Sequence, residues 1–276
     1  MRWQGRQQSG NVEDRRGMGG KLAVGGGIGG VIILVLSLLM GENPMNYIST
    51  ESEPVATEQT AESDSQAVFV KVVLKETEDV WNIIFREQLG KSYQEPVLVL
   101  FSNSSQSGCG YASAATGPFY CPQDSKVYID LSFYDELQSR FDAPGDFAMA
   151  YVVAHEVGHH VQHLLGISDQ VHQEQQVAGE AEANQLSVKL ELQADFLAGV
   201  WAHHTQKKQH ILEAGDIEEA LNAANAIGDD RLQKEANGYV VPDAFTHGTS
   251  KQRMYWFKRG FDTGDINQGD TFSQIQ

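Results

Sequence analysis

The sequence predicts an α+β domain, because short segments with a strand pattern precede longer segments with a helical pattern. The runs PVLVLF over 96–101 and KVYIDL over 126–131 are short and either apolar or alternating, as is typical of strands. They predict a small sheet that contains antiparallel pairing. From residue 142 onward helical patterns dominate. With 276 residues, of which 41% are hydrophobic, the chain can form one sizeable core.

The charge of the chain is distributed unevenly. The formal net charge is −17, yet the first 21 residues contain five basic and two acidic groups, which gives +3. The remaining 255 residues therefore contain 15 basic and 35 acidic groups, or −20. Affinity for nucleic acid depends largely on Lys and Arg side chains that neutralise phosphates. An acidic body of this kind argues against nucleic-acid binding as the main function.

The segment 22–40 has no charged residue and predicts a transmembrane anchor. As a helix with a rise of about 1.5 Å per residue, it would just cross a hydrocarbon core of about 30 Å. Basic residues precede it, so we expect 1–21 to be a short cytoplasmic tail and the body to lie on the exported side, periplasmic or extracellular. A cleaved signal peptide and a buried core helix are the alternatives.

The segment 41–66 contains six acidic groups and no basic ones, with no apolar period that could bury a face. This composition predicts a flexible linker. The folded domain is then expected over 67–276. It begins with a helical pattern that includes Val73, Val80 and Ile84.

The chain has two cysteines, Cys109 and Cys121, which bracket a glycine-rich segment. A structural zinc site needs four protein ligands, of which two thiols would supply only half. No CxxC spacing occurs in the sequence. In an exported domain such a pair predicts a disulfide.

The segment 142–166 predicts a helix that carries the most specific motif of the chain. Asp142 is suited to cap this helix, Pro144 to its first turn, and Gly166 to the position after its end. The motif HEVGH occupies 155–159. Its pattern of three fixed positions in five also arises by chance, but here it lies in a helix with a defined start, a defined end and apolar flanks.

The two histidines of this motif predict a metal site. His155 and His159, at i and i+4, project from one helix face and can bind one zinc ion. Glu156 lies beside them, where it can polarise a metal-bound water and act as a general base.

A catalytic zinc ion has three protein ligands and one open position, so a third ligand is required. Gln162 and Leu165 stand where a metzincin would have Gly and His, which excludes that class. His163 lies about 12 Å along the axis from His155, too far for three rings of one helix to share an ion. His160 is out of phase and should point to solvent or to a contact around the site.

The segment 175–204 predicts a second long helix, in which Glu191 and Asp195 share one face at i and i+4. In this gluzincin arrangement the glutamate binds the metal, and the aspartate accepts a hydrogen bond from a ligand histidine. A solvated acidic face is the alternative. The residues around this pair are apolar, however, and an unpaired buried carboxylate would be unfavourable.

The sequence resembles the bacterial putative neutral zinc metallopeptidases, a family of membrane-anchored predicted metalloproteases. The motifs that carry the resemblance are TEDVW at 77–81, GPFYCP at 117–122, VYID at 127–130, AYVVAHEVGHHVQ at 150–162, ELQAD at 191–195, FLAGVWA at 196–202, AIGDDRLQ at 226–233 and VPDAFTHGTSKQR at 241–253. The resemblance implies a zincin-like domain of the gluzincin kind, with His155, His159 and Glu191 as zinc ligands and Glu156 as catalytic base. One departure is Phe196, where we expect many relatives to have Cys.

These observations predict a membrane-tethered peptidase with one zinc ion per chain, which acts on peptides or proteins. His247 is a candidate donor to the oxyanion, with a structural role in its loop as the alternative; Tyr239 and Arg253 could also supply this donor. The strand over 127–130 is a candidate edge for pairing with a peptide backbone. A zinc-stabilised scaffold protein and a cell-wall peptide amidase are the alternative functions, and the sequence does not determine the oligomeric state.

Overall fold

The computed structural model describes residues 1–17 and 60–274. Within these ranges nine α-helices accompany two small sheets, which confirms the predicted α+β class. The strands are β1 (Val12–Asp14), β2 (Val97–Phe101), β3 (Ser104–Ser107), β4 (Gly110–Ser113), β5 (Phe119–Cys121) and β6 (Lys126–Asp130). The helices are α1 (Ala61–Glu87), α2 (Phe133–Ser139), α3 (Asp146–Leu164), α4 (Ile167–Gln175), α5 (Glu180–Gln209), α6 (Asp216–Ala226), α7 (Asp229–Asn237), α8 (Ser250–Thr263) and α9 (Thr271–Gln274).

The larger sheet has the strand order β1-β2-β6-β5. The two strands that the sequence predicts are β2 and β6, which pair in parallel, whereas β5 pairs antiparallel with β6. The sheet therefore contains antiparallel pairing, as expected. The prediction that 127–130 forms an edge is wrong, because β6 has a partner on each side. The edge strand next to it is β5.

The N-terminal segment 1–17 packs into the domain. Its strand β1 pairs in parallel with β2. The buried side chain of Arg16 forms ion pairs with Asp14 and with Asp64 of α1. Two buried carboxylates of α1, Glu76 and Glu78, also accept hydrogen bonds from this segment. Buried charges need such partners, so the segment and α1 stabilise each other.

These contacts correct the predicted location. A tail on the cytoplasmic side and a body on the exported side cannot share one sheet, yet β1 and β2 do so. Among the described residues no helix combines the length and the hydropathy that a membrane span requires. The predicted anchor over 22–40 lies outside the described residues, as does most of the predicted linker over 41–66. The end of that linker is helical, because α1 begins at Ala61.

The helix that contains the HEVGH motif begins later than the sequence predicts. Asp142 has a left-handed φ of 50° and does not cap α3, which starts at Asp146. The free N–H of Phe147 instead donates to the carboxylate of Glu219 from α6, at 3.0 Å. A residue distant in sequence thus satisfies this helix end. Gly166 follows α3 in a left-handed conformation, as predicted.

Two glycines allow α5 and α8 to pack backbone against backbone. A Cβ atom at Gly199 of α5 would lie 2.0 Å from the carbonyl oxygen of Phe257. A Cβ atom at Gly260 of α8 would lie 2.0 Å from the carbonyl oxygen of Phe196. No side chain fits at either position. The close approach places Arg253 of α8 beside Asp195 of α5.

We predict that Gly199→Ala destabilises the protein by about 1–3 kcal/mol, because the added methyl group forces the two helices apart. Urea unfolding followed by circular dichroism measures the change. The matched control is Gly179→Ala at the N-cap of the same helix, where φ is −73° and no atom lies within 4 Å of the added Cβ. Its expected effect is under about 1 kcal/mol. Equal effects of the two substitutions would contradict the packing argument.

Candidate functional site

Three side chains from two helices meet at one point. His155 and His159 come from α3 and Glu191 from α5, and each offers one ligand atom within 4.8 Å of the others. The Nε2 atoms of the two histidines are 3.2 Å apart. The carboxylate oxygens of Glu191 lie 3.2 Å from Nε2 of His155 and 3.3 Å from Nε2 of His159. Two imidazole nitrogens and one carboxylate oxygen form a donor set that fits zinc and leaves a coordination position open.

Close packing of α3 on α5 brings the third side chain to the two histidines. A Cβ atom at Gly158 would lie 3.0 Å from the carbonyl oxygen of Ala194. The glycine inside the HEVGH motif therefore lets the two helices approach beside the site. Glu191, one turn before Ala194 on α5, thereby lies within reach of both imidazoles.

The orientation of His155 is fixed by a buried network. Its Nδ1 lies 2.9 Å from Oδ1 of Asp195, a fully buried carboxylate. Arg253 donates to both oxygens of this carboxylate, through Nε at 2.8 Å and Nη2 at 2.9 Å. The hydroxyl of Tyr151 also donates to Asp195, at 2.5 Å. The contact to His155 leaves Nε2 facing the other candidate ligands.

The charges of this network shift the pKa values of its members. Burial alone would raise the pKa of Asp195, but Arg253 and His155 outweigh it and lower this pKa below its usual value. Burial alone would lower the pKa of His155, but Asp195 and Glu191 outweigh it and raise this pKa to about 10. A metal ion that binds His155 therefore displaces a proton.

His159 is oriented by a hydrogen-bonded pair of glutamine side chains, which the sequence analysis did not identify. Its Nδ1 lies 2.9 Å from Oε1 of Gln162, one helical turn further along α3. The amide nitrogen of Gln162 donates to the carbonyl of Leu190 at 2.7 Å and to Oε1 of Gln193 at 3.1 Å. Gln193 in turn donates to the carbonyl of Gly269. The available signal was a glutamine three residues after a ligand histidine on a helix whose flanks are apolar.

Glu156 is buried and lines the cavity next to the three candidate ligands. Burial raises the pKa of its carboxyl group, and the two neighbouring histidines oppose this shift. The backbone of Tyr120, in the edge strand β5, approaches this carboxylate and also lowers its pKa. The net shift of this pKa is upward.

His247 lines the same cavity, from a loop that follows α7. Its Nδ1 lies 3.3 Å from Oδ1 of Asp229, the first residue of α7. The other oxygen of Asp229 accepts the backbone N–H groups of Thr246, His247 and Gly248 at 2.8, 2.6 and 3.0 Å. The hydrogen bond to Asp229 raises the pKa of His247. The carboxylate of Asp229 therefore holds the backbone of residues 246–248 as well as the imidazole of His247.

The structure also locates the other residues that the sequence analysis considered for the site. Tyr239 is 64% exposed and is not among the residues that line the cavity. Arg253 lines the cavity, but all three of its guanidinium nitrogens donate to protein groups. His160 is buried rather than exposed to solvent, and its ring nitrogens contact the hydroxyl of Tyr120 at 3.0 Å and the carbonyl of Gln94 at 2.6 Å. Burial lowers the pKa of His160 to about 4.

A cavity of about 530 Å³ opens at these residues. One of its walls is the segment 116–122, which includes β5. The predicted disulfide between Cys109 and Cys121 is present and ties this segment to the turn between β3 and β4. The disulfide restrains the wall of the cavity next to Glu156.

Comparison with known proteins identifies a family. A family model described as "Putative neutral zinc metallopeptidase" matches residues 1–272. An uncharacterized protein of Escherichia coli strain K12, YpfJ, is 53% identical over 287 aligned residues, which cover 99% of each chain. An uncharacterized protein of Mycobacterium tuberculosis strain H37Rv is 45% identical over 191 residues, which cover 66% of this chain and 64% of the relative. No solved structure matches the chain.

We predict that Asp195→Asn destabilises the protein by about 3–5 kcal/mol, because it leaves the Arg253 guanidinium buried without a counter-charge. Urea unfolding of the metal-free protein measures this change. Asp262→Asn is the matched control, since Asp262 pairs with Lys258 on the surface and both side chains are more than half exposed. The control should change stability by less than about 1 kcal/mol. A small effect of Asp195→Asn would show that the network does not hold the site.

Proposed function

The chain belongs to the putative neutral zinc metallopeptidase family, and from this premise we propose that it is a zinc-dependent peptidase of the gluzincin type. The observation that carries the proposal is the convergence of His155, His159 and Glu191 in one cavity, with Glu156 beside them. Peptides or proteins are the substrates. The residues that the sequence analysis selected from two separate motifs are the ones that support this function.

Zinc fits the site because the donor set is two imidazoles and one carboxylate, the number that a catalytic zinc ion uses. When bound, the ion would polarise the peptide carbonyl and lower the pKa of water at its open position. A purely structural zinc ion would need a fourth protein ligand, and Glu156 would have no purpose beside it. We therefore favour catalysis over a scaffold role, with one ion per chain.

In this proposal Glu156 moves the protons of the reaction. Its carboxylate takes a proton from the attacking water and delivers it to the nitrogen of the leaving amine. Burial of Glu156 raises the pKa of its carboxyl group, so the protonated form is a less extreme state than for an exposed glutamate. Asp195 and Gln162 hold the two histidines in place during the reaction.

His247 and β5 supply the remaining functions of the proposed site. With Nδ1 at Asp229, the other ring nitrogen of His247 is available to donate a hydrogen bond to the developing oxyanion. The strand β5 pairs on one side with β6, and no other described strand pairs with it. This free edge lies in the cavity wall, where an extended peptide can pair with it.

We predict that Glu156→Gln abolishes cleavage but retains zinc, whereas Glu191→Ala loses zinc affinity by at least about tenfold. Metal analysis after dialysis measures the zinc content, and hydrolysis of unfolded casein and of a peptide mixture measures activity. The control for Glu191→Ala is Glu182→Ala, an exposed glutamate on the same helix, which should retain both properties.

The outcomes of this comparison separate the candidate functions. If native protein binds zinc but cuts no more than Glu156→Gln, the scaffold role replaces the peptidase. Cleavage of cell-wall peptides alone would favour the amidase. If Glu191→Ala binds zinc as tightly as native protein, the ligand assignment is wrong.

We predict that Asp229→Asn moves the alkaline limb of the activity profile to lower pH. The hydrogen bond to Asp229 raises the pKa of His247, so the imidazolium persists to higher pH in native protein. Without the carboxylate this pKa falls toward its ordinary value of about 6.5, and the donor loses its charge earlier as pH rises. The measurement is kcat/KM from about pH 5 to 9.

The control for this pH profile is Asp230→Asn. Asp230 is the neighbouring carboxylate of α7 and accepts hydrogen bonds from Ser250. The substitution Asp230→Asn should leave the alkaline limb of the activity profile unchanged. Superimposable profiles for native protein and Asp229→Asn would remove His247 from the mechanism.

A further inference from the structure

The helix α3 presents two different faces around the candidate site. His155 and His159 face α5, which carries the third candidate ligand. Glu156 and His160 are four residues apart and therefore share another face of the helix. This face is directed toward the edge strand β5, because the backbone of Tyr120 approaches Glu156 and the hydroxyl of Tyr120 contacts His160. One residue of β5 thus contacts α3 at two points, one helical turn apart.

The hydrogen bond between His160 and Tyr120 has a defined direction. Nε2 of His160 lies 2.6 Å from the carbonyl oxygen of Gln94, which can only accept, so Nε2 carries a proton. In the neutral ring Nδ1 is then an acceptor, and the hydroxyl of Tyr120 donates to it at 3.0 Å. His160 is only 1% exposed. Loss of the Tyr120 hydroxyl would therefore leave a buried acceptor without its partner, which is unfavourable.

The ring of Tyr120 also packs on α3. It forms edge contacts with the rings of His160 and His163, at centroid distances of 5.3 and 6.0 Å. These contacts involve the ring and not the hydroxyl. The substitution Tyr120→Phe therefore retains the packing and removes only the hydrogen bond.

The main chain of Tyr120 lies at the free edge of β5. This strand has three residues, and β6 is its only partner among the described strands. In an antiparallel pair the N–H and C=O groups of one residue point to the same side. Since the backbone of Tyr120 approaches Glu156, these two groups are directed away from β6. A peptide that pairs with this edge would contact the main chain of Tyr120 next to the proposed base.

We propose that His160 is a positioning residue, which acts through the hydroxyl of Tyr120 to hold the free edge of β5 in place beside Glu156. The inference rests on the proposed peptidase function and adds to it the group that positions the substrate backbone. A three-residue strand with one free edge has few contacts of its own. The hydrogen bond to His160 connects it to the helix that carries the proposed base, so that the two parts of the site keep a constant relative position.

The first test uses the metal-free full chain and needs no substrate. Hydrogen exchange followed by mass spectrometry measures the protection of the amides over 117–122. Tyr120→Phe should increase their exchange rate at least about threefold, because β5 opens more readily without the hydrogen bond. The matched control is Tyr128→Phe, which removes a hydroxyl of β6 that donates to Asp124 at 2.7 Å. It should leave the rate over 117–122 within about twofold of the native value.

The second test measures binding by the zinc-loaded full chain without turnover. The probes are acetohydroxamate and two hydroxamates that carry three alanine residues, attached to one side of the metal-binding group in the first and to the other side in the second. Titration calorimetry gives each Kd. Native protein should bind at least one alanine probe at least about tenfold more tightly than acetohydroxamate, because the longer probe can pair with β5.

The Tyr120→Phe variant should lose part of this advantage of the longer probe. The ratio of the two Kd values should fall at least about threefold, and the Kd of acetohydroxamate should change by less than about twofold. A purely structural role of the hydroxyl would weaken both probes alike or neither of them. Tyr128→Phe should retain the native ratio.

The substitution His160→Gln tests whether the two residues act together. Its amide nitrogen can still donate to the carbonyl of Gln94, but no acceptor remains at the position of Nδ1. This variant should show the same loss, restricted to the longer probe. Adding Tyr120→Phe to it should change the ratio by less than about a further twofold, because the two substitutions remove one interaction.

The outcomes separate this inference from the proposed function. Unchanged exchange over 117–122 in Tyr120→Phe would overturn the positioning role, as would an unchanged Kd ratio or independent losses in the double variant. If no probe binds native protein, the zinc site is wrong and the inference fails with it. If the loss is observed but casein and peptides are not cleaved, the positioning role stands and the peptidase function fails. If cleavage occurs and Tyr120→Phe binds all probes as native protein does, the reverse holds.

Discussion

The candidate site depends on the buried ion pair between Asp195 and Arg253. Both side chains are almost completely removed from solvent, where a single charge would be strongly destabilising. Each charge therefore requires the helix that carries the other. Asp195 also contacts Tyr151 and His155, so the pair connects α8 through α5 to α3, the helix that contains the HEVGH motif. The direct contact of α5 and α8 at Gly199 makes this connection possible.

The two histidines are held by groups of different charge. His155 contacts a carboxylate, whereas His159 contacts the neutral amide of Gln162. A carboxylate raises the basicity of a ligand imidazole, and an amide mainly fixes its orientation. Because Arg253 shares the carboxylate, part of that negative charge is neutralised. In the proposed mechanism, the negative charge of the site is therefore provided mainly by two glutamates: Glu191 would bind the metal, and Glu156 would transfer protons.

Local patterns in the sequence predicted the parts of the site that lie within one helix. The i and i+4 spacing placed His155 and His159 on one face, and the same spacing paired Glu191 with Asp195, because helix geometry alone determines which side chains are neighbours. The predicted strands and the α+β class were also correct. The predicted arrangement of the N-terminus across a membrane was wrong, because strand β1 of the N-terminal segment pairs with β2 and local composition does not report such pairing.

The sequence by itself determined the donor types, their helical spacing, the disulfide pair and the family. Only the tertiary structure decided which elements meet. In the tertiary structure the side chain of Gln162 contacts His159, and the carboxylate of Asp229 contacts His247. The edge strand of the sheet is β5 and not β6. These features depend on contacts between residues far apart in the chain. Periodicity describes one element at a time, whereas packing selects among the many ways in which those elements can be combined.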